Sequence, residues 1–379
     1  MVVKYARITL LSALFSLCSM FQFSYTNAYP NTAIDAFTLF LNQSYKNRYD
    51  LELASSAINW IWSAIINLFS VGLIFGALIM PFVVEKFGRK GGWYMASSIN
   101  LLSTALSAIS IRFELPELLG VGRLCFGMGG AIGTMCLTLV LQECSPTEIR
   151  GSISTFQTLA IAIDTVIGMV LGMPYLLGNS LILLISFTAI PELILMLVLL
   201  FCPDTPKHLL LVKKDAEAAE RSIIFYQGTS ADVDTALTAI REEDTEESQE
   251  EVKFSVIWKE LHLRTAFLIG LIAVIGQQVT GIYAVTLFST TFFEAAGLNE
   301  LASQIGSVIF NVIGIFVLCF AAFKMDSLGR RPLLLIFQTL SAVCMALFAL
   351  FSILHNLAAV SWCKYGALAA MFGLAICFG

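Results

Sequence analysis

Charged residues are scarce in this sequence of 379 amino acids: they make up 13% of the chain, whereas 58% is hydrophobic. Soluble globular proteins carry about 25% charged and about 45–50% apolar residues, so this balance excludes an ordinary soluble protein. The three histidines are scattered, and the nine cysteines lack metal-ligand or disulfide-scaffold spacing. No catalytic nucleophile with a base and no phosphate-binding loop is recognisable. The sequence predicts a membrane protein that is not an enzyme and holds no metal or cofactor.

Ten apolar segments are present, and most reach the roughly 20 residues that a membrane-spanning helix needs. They lie near 8–28, 59–82, 93–112, 118–141, 153–176, 181–202, 265–291, 303–323, 333–353 and 362–379. The first fits either a cleaved signal peptide or a mature helix, and its polar face, with Ser12, Ser16 and Ser19, favours the mature helix. The fold class is therefore an all-α, multi-pass membrane protein.

The basic residues indicate the orientation of these helices. With a cytoplasmic amino terminus, most of the 22 lysines and arginines lie on the cytoplasmic side, as the positive-inside rule requires. The sequon Asn42-Gln43-Ser44 then lies outside, which makes Asn42 a predicted glycosylation site. Because the basic residues are confined to segments near the membrane, no nucleic-acid partner is expected.

Two basic segments share one pattern: a carboxylate at a helix end, a glycine turn and two cations. Either alone fits a short loop that obeys the positive-inside rule. Their recurrence six helices apart predicts a chain of two six-helix halves, as in transporters that rock one half against the other. The copies are Glu85-Lys86-Phe87-Gly88-Arg89-Lys90-Gly91 and Met325-Asp326-Ser327-Leu328-Gly329-Arg330-Arg331-Pro332.

Two amides, Gln277 and Gln278, interrupt the long apolar segment that starts near Arg264. In hydrocarbon an amide needs an internal partner or a water-filled cavity. Gly276 and Gly281 permit local unwinding of the helix. Two interpretations remain: the amides line a polar cavity, or they join neighbouring helices by hydrogen bonds.

These features resemble the facilitative sugar transporters of the major facilitator superfamily over nearly the whole chain. Gln277-Gln278-Val279-Thr280-Gly281 is similar to the family's Q-Q-x-S-G element in helix seven. Further matches are Gln22-Phe23-Ser24-Tyr25, Gly122-Arg123, Glu143-Cys144-Ser145-Pro146-Thr147-Glu148-Ile149-Arg150-Gly151 and Pro203-Asp204-Thr205-Pro206-Lys207. The resemblance implies a six-helix bundle at 1–202, a cytoplasmic helical linker at 203–263 with a short helix from Asp215 to Gln227, and a truncated bundle of four helices at 264–379.

The resemblance also implies sugar-binding positions. Gln277, Gln278 and Asn311 match residues that hydrogen-bond a hexose, and Asn311 shares a helix face with Ser303 and Ser307. Thr158 and Tyr283 replace two family amides, which weakens the case for glucose and leaves a related or smaller polyol, or another organic solute, as alternatives. Thr26 occupies the position of the symporters' proton-coupling carboxylate, so facilitated diffusion is expected in the plasma membrane.

The same comparison assigns a gating charge network to Arg89, Lys90, Glu143, Arg150, Asp326, Arg330 and Arg331. Asp164, near the middle of helix five, stays open between a functional acid, a hydrogen-bonded structural acid and a partner for Arg123.

The resemblance further implies that the sequence stops before the family's last two helices. Two hypotheses follow: a hexose facilitator whose 379-residue form does not catalyse net transport, or a non-transporting sensor or regulatory form. A second copy or a full-length relative would be its partner, besides the sugar-like solute and the lipid bilayer.

Overall fold

The computed structural model describes residues 5–146, 148–228, 233–249, 258, 260–279, 281–328, 330–358 and 362–378, and these residues form helices without β-strands. In chain order the α-helices are α1 (Ala6–Thr32), α2 (Ile34–Tyr49), α3 (Ser55–Arg112), α4 (Pro116–Cys144), α5 (Arg150–Leu171), α6 (Leu181–Ser186), α7 (Ala189–Phe201), α8 (Ala216–Gln227), α9 (Val233–Gln249), α10 (Leu261–Val279), α11 (Ile282–Leu287), α12 (Ser289–Ala295), α13 (Glu300–Leu328), α14 (Arg330–Ala358) and α15 (Cys363–Phe378). Single π-helical turns occupy Pro174–Gly178 and His208–Val212.

Seven described helical stretches are long and apolar enough to cross a membrane. One of them, α3, has 58 residues, which at about 1.5 Å per residue far exceeds a hydrocarbon core of about 30 Å. It therefore supplies two crossings that meet at Gly88. Shorter apolar helices at Leu261–Gly276 and Cys363–Cys377 match the predicted segments seven and ten.

Three predicted segments differ in detail from the structure. The expected loop at 85–91 is helical apart from Gly88, which alone has non-helical dihedral angles. Helix six is divided into α6 and α7 because Pro191, near the start of α7, has no N–H to continue the preceding turn. Helix seven unwinds after Val279, at Gly281, while Gly276 stays helical.

The chain divides into two compact units, Met1–Ala231 and Asp232–Gly379. The division lies inside the predicted linker, and the predicted domain limits at 202/203 and 263/264 stay predictions. Helix α8 belongs to the first unit, since Ser222 Oγ donates to Asp204 O at 2.7 Å and Tyr226 OH donates to Pro203 O at 2.8 Å. Asp215 caps its first turn by accepting from Ala218 N at 2.9 Å.

Apolar side chains form the core of the first unit in two clusters, one around Phe15, Trp93 and Leu137 and the other around Tyr25, Phe37 and Trp62. Helices α3 and α4 approach closely at paired glycines. A Cβ atom at Gly72 would lie 2.0 Å from Leu124 O, so no larger residue fits there without moving the helices apart. The second unit has its own cluster around Phe293, Phe310 and Met371.

Candidate functional site

The turn at Gly88 places two cations against the end of the first unit. Gly88 has φ 75° and ψ 179°, a conformation that glycine adopts at low cost. A Cβ atom there would lie 2.5 Å from Asp204 Oδ2 and 2.6 Å from His208 Nε2. The sequence pattern of carboxylate, glycine and two cations therefore folds as a single-residue turn packed against the segment after α7.

Glu143, at the end of α4, is the centre of the contacts at this turn. Its Oε1 accepts hydrogen bonds from Nε (3.0 Å) and Nη2 of Arg89, and its Oε2 accepts one from Thr205 Oγ1. The side chains of Arg89 and Glu143 are 14% and 8% exposed, so the pair is largely shielded from water. One carboxylate thus joins three separate segments of the chain.

Asp204 extends these contacts. Its Oδ1 accepts from the backbone N–H of Lys90 at 3.3 Å and of Thr205 at 2.9 Å, and Lys90 Nζ donates to Cys202 O at 2.6 Å. The set Arg89, Lys90, Glu143, Asp204, Thr205 and His208 is called the boundary network below. The sequence predicted three of these residues as a gating network, and its Pro203–Lys207 motif supplies two more.

His208 is the member that sequence reasoning missed, since it was one of three scattered histidines. Its Nδ1 lies 3.4 Å from Arg89 Nη1, its Nε2 lies 3.7 Å from Asp204 Oδ2, and the side chain is 2% exposed. Burial lowers the pKa of His208 below its ordinary value. The negative charge of Asp204 opposes this shift, the positive charges of Arg89 and Lys213 add to it, and the negative charge of Glu143 opposes it. Its position directly after the Pro203–Lys207 motif was the available signal.

The other predicted gating residues are less defined. Arg150 is the first residue of α5 and is half-buried. In the second copy, α13 ends at Leu328, α14 begins at Arg330 and Arg331 is exposed, while the side chains of Asp326 and Arg330 lie outside the described part of the structure. The charge contacts predicted for this copy stay predictions.

In the second unit, Gly281 has a left-handed conformation with φ 72° and ψ 7°, and the helix is interrupted directly after the Gln277-Gln278 pair. The predicted unwinding is therefore present at this glycine. The backbone of Gln277 and Gln278 belongs to the last turn of α10 and that of Tyr283 to α11, while their side chains lie outside the described part of the structure.

A row of polar residues on α13 belongs to the same unit. Asn311 Nδ2 donates to Ser307 O at 2.9 Å, and Ser307 Oγ donates to Ser303 O at 2.9 Å, so the three share one helix face as predicted. The hydroxyl groups of Thr290 and Ser307 are 3.1 Å apart, which joins α12 to this face. Thr158, the fifth predicted sugar-binding residue, lies exposed on α5 in the first unit.

Arg123 and Asp164 are both buried within the first unit but are not paired with each other. Arg123 Nη1 donates to Thr26 O, and its guanidinium lies 5.9 Å from the centre of the Tyr29 ring. Asp164 is 1% exposed, and its Oδ2 has no hydrogen-bond partner among the described residues. Helix α5 packs on α1 along this face, where Gly168 meets Tyr25 and Ala28. Arg123 is therefore satisfied by a backbone carbonyl rather than by Asp164.

A second polar group inside the first unit was not predicted. Gln22 Nε2 donates to Thr188 O at 2.7 Å, where the helix is broken before Pro191. The hydroxyls of Thr188 and Thr104 are 2.8 Å apart, and Asn100 Nδ2 donates to Glu192 Oε1 at 2.6 Å. Gln22, Asn100, Thr104, Thr188 and Glu192 are called the interior polar chain. Its residues lie in three segments that are distant in sequence, so no local sequence motif predicts it.

Among the described residues, no group of three or more histidines, cysteines or carboxylates is placed to hold a metal ion. The chemistry of these sites is reversible hydrogen bonding and ion pairing, which suits binding and conformational gating.

Comparisons with known proteins agree with this chemistry. A family model described as "Sugar (and other) transporter" matches residues 11–379. The facilitated glucose transporter member 3 of solute carrier family 2 from Gallus gallus is 28% identical over 362 residues, which cover 94% of this chain and 71% of that protein. Member 5 from Mus musculus is 28% identical over 353 residues, which cover 92% of this chain and 69% of that protein.

Solved structures give the fold. The xylose transporter XylE from E. coli, in a partially occluded inward-open conformation, matches with a TM-score of 0.74 and 20% identity, covering 99% of this chain and 82% of that one. XylE bound to 6-bromo-6-deoxy-D-glucose matches equally well, with a TM-score of 0.74 over 81% of that chain. The fold is therefore that of the major facilitator superfamily.

Proposed function

Because the chain belongs to the sugar (and other) transporter family, we propose that it moves a small polyhydroxylated solute of the hexose class across a membrane by alternating access. The protein is a transporter and not an enzyme. The similar proteins include facilitated glucose transporters, matched in sequence, and a xylose transporter, matched in fold, so a sugar-like substrate is the first class to test.

The observation that carries the proposal is the helix break at Gly281, next to two adjacent amides and in the same unit as the polar face of α13. A broken helix near the membrane midplane frees backbone groups for a ligand. Amides and hydroxyls together offer both donors and acceptors, as sugar hydroxyls require. This supports Gln277, Gln278, Tyr283 and Asn311 as substrate-binding residues, whereas the assignment of Thr158 in the first unit rests on the family resemblance alone.

Thr26 supports facilitated diffusion over proton symport. The matching position in related symporters holds a carboxylate, whereas here the hydroxyl of Thr26 donates to Gln22 O and its carbonyl accepts from Arg123. A residue without a titratable side chain carries no proton, and Arg123 is already hydrogen-bonded. The boundary network would then stabilise one gate state of the first unit.

Uptake by proteoliposomes tests this function. The purified chain is reconstituted and the saturable uptake of labelled hexose is measured with and without unlabelled competitor. In Gln278→Ala the loss of one hydrogen-bonding group is expected to weaken binding by about 1 to 3 kcal/mol. Asn67→Ala is the matched control, because Asn67 is an exposed amide of α3 whose Nδ2 donates only to Ser63 O of its own helix at 2.7 Å, and its uptake should equal that of the parent protein. Equal uptake by all three proteins, or uptake that no sugar competes with, would refute the hexose assignment.

Orientation is tested at Asn42. We propose that the amino terminus and the Gly88 turn face the cytoplasm of cells that carry the protein in the plasma membrane, and that Asn42, on α2, faces outward. Asn42→Gln expressed in mammalian cells is expected to migrate faster on a denaturing gel than the parent protein. Removal of N-glycans should abolish the difference. Equal mobility before that treatment would contradict the orientation.

A further inference from the structure

A recess of about 760 Å³ lies between the Gly88 turn, the end of α7 and helix α8. Three cations line it, and they come from three segments that are separate in sequence: Lys90 after the turn, Lys213 before α8, and Arg221 within α8. Asp204, the carboxylate among its lining residues, is already engaged by two backbone N–H groups and faces His208. The recess therefore has an excess of positive charge.

The opposite wall of the recess is apolar. Leu200 and Phe201, at the end of α7, line it and are 64% and 76% exposed. They continue a row of exposed residues along the outer face of α7, formed by Ile190, Leu193, Ile194 and Leu197. The spacing of three or four residues makes this row one helix face, and on a membrane-spanning helix such a face contacts lipid chains. The recess thus opens where the hydrocarbon of the bilayer meets its polar surface.

We propose that this recess binds the phosphate headgroup of an anionic phospholipid, with an acyl chain along the exposed face of α7. The cations match a phosphate monoester or diester, and the aromatic and aliphatic rim matches the glycerol and upper acyl chain. Arg7, whose guanidinium lies 4.0 Å from the centre of the Phe225 ring, adds a fourth cation beside the lining residue Phe225. A headgroup bound there would lie beside Lys90 and Asp204 of the boundary network and would stabilise the arrangement seen here.

Lipid binding to the full chain in detergent micelles tests the proposal. Native mass spectrometry measures the apparent dissociation constant of phosphatidylglycerol, with phosphatidylcholine and inorganic phosphate as the other probes. The test variant is Lys213→Gln with Arg221→Gln, which removes two lining cations outside the boundary network. The control is Lys86→Gln with Lys214→Gln, two exposed cations that are close in sequence to lining residues but do not line the recess.

The parent protein and the control should bind phosphatidylglycerol at least tenfold more tightly than phosphatidylcholine. The test variant should lose about 30-fold in affinity, which corresponds to about 2 kcal/mol for two cations. A third variant, Ala218→Trp, keeps every charge but places a bulky indole in the recess, and it should also bind the lipid more weakly than the control does.

Three results would overturn the proposal. Equal losses in the test and control variants would mean that general surface charge attracts the lipid. Saturation of the site by inorganic phosphate, with equal retention of both lipids, would mean that the recess takes a free anion. Unchanged phosphatidylglycerol binding in Ala218→Trp would place the lipid elsewhere.

Discussion

At the Gly88 end of the first unit both carboxylate oxygens of Glu143 accept hydrogen bonds, from Arg89 and Thr205. Deeper among the helices, Oδ2 of Asp164, Oε1 of Gln22 and Oδ1 of Asn100 have no partner among the described residues. In the first region both oxygens of the carboxylate accept charge-assisted hydrogen bonds, whereas the second region contains buried oxygen atoms that accept none from the described residues. A fully hydrogen-bonded network suits a gate that must hold one state. Buried oxygen atoms without a partner suit hydration or a change of hydrogen-bonding partner.

The largest expected loss of stability comes from a change in the boundary network. Arg89→Met leaves Glu143 largely buried without its cation, and the free energy of unfolding in detergent is expected to fall by about 3 to 5 kcal/mol. Arg48→Met is the matched control, because Arg48 pairs with Glu117 at 2.8 Å but the two side chains are 32% and 55% exposed. Its expected cost is much smaller, because water and salt screen an exposed ion pair. Equal costs for both variants would remove the distinction between the network and an ordinary surface pair.

Gly88→Ala should cost about 2 to 4 kcal/mol, since it adds a contact with Asp204 and His208 to the cost of positive φ. Gly228→Ala isolates the cost of positive φ, because Gly228 has φ 96° and nothing lies within 4 Å of its added Cβ. That control should lose only the cost of this backbone conformation, about 1 to 3 kcal/mol. Thermal unfolding of the two purified variants measures the difference, and similar melting temperatures would argue against tight packing at the turn.

His208 should make the boundary network sensitive to pH. Burial holds its pKa below the ordinary value of about 6.5 that the unfolded chain retains. Below that value the unfolded state binds a proton that the folded state does not, so stability should fall with decreasing pH by at most about 1.4 kcal/mol per unit. Above about pH 7 this contribution should be constant.

Unfolding curves at pH 5 to 8 measure this slope. His208→Phe should flatten it, while His262→Phe, at an exposed position of the second unit, should leave it unchanged. A slope that persists in His208→Phe would assign the pH dependence to another group.

The smallest effect is expected in the interior. Asp164→Asn should raise stability by less than about 1 kcal/mol, because it removes the negative charge of a buried carboxylate whose Oδ2 has no partner among the described residues. Asp35→Asn, on an exposed part of α2, controls for the loss of one charge. A clear destabilisation would indicate that Asp164 has a structural partner. Loss of uptake in a stable Asp164→Asn protein would identify it as a functional acid.

The parts of the fold that could be predicted are those that local sequence specifies. Apolar length located the membrane helices, and the carboxylate–glycine–cation pattern located the turn at Gly88. Gly281 was expected to unwind helix seven and does so. The division of helix six was missed, although Pro191 marks it in the sequence.

The contacts between distant segments were harder to predict. Arg89 and Glu143 were assigned to one network through a family resemblance, not from spacing. His208 and the interior polar chain have no local pattern, because their partners lie in other helices. The sequence indicated that Asp164 lies near the middle of a membrane helix, but only the structure excludes Arg123 as its partner.

The contacts of Glu143 also set an order of assembly during synthesis. Arg89 is made first, Glu143 follows 54 residues later and Thr205 another 62 residues after that. At about 5 to 20 residues per second, the 119 residues from Arg89 to His208 take roughly 6 to 24 s to appear. For that time the Gly88 end lacks its closing contacts. Since every member of the boundary network precedes Ala231, the first unit can close this end before synthesis of the second unit is complete.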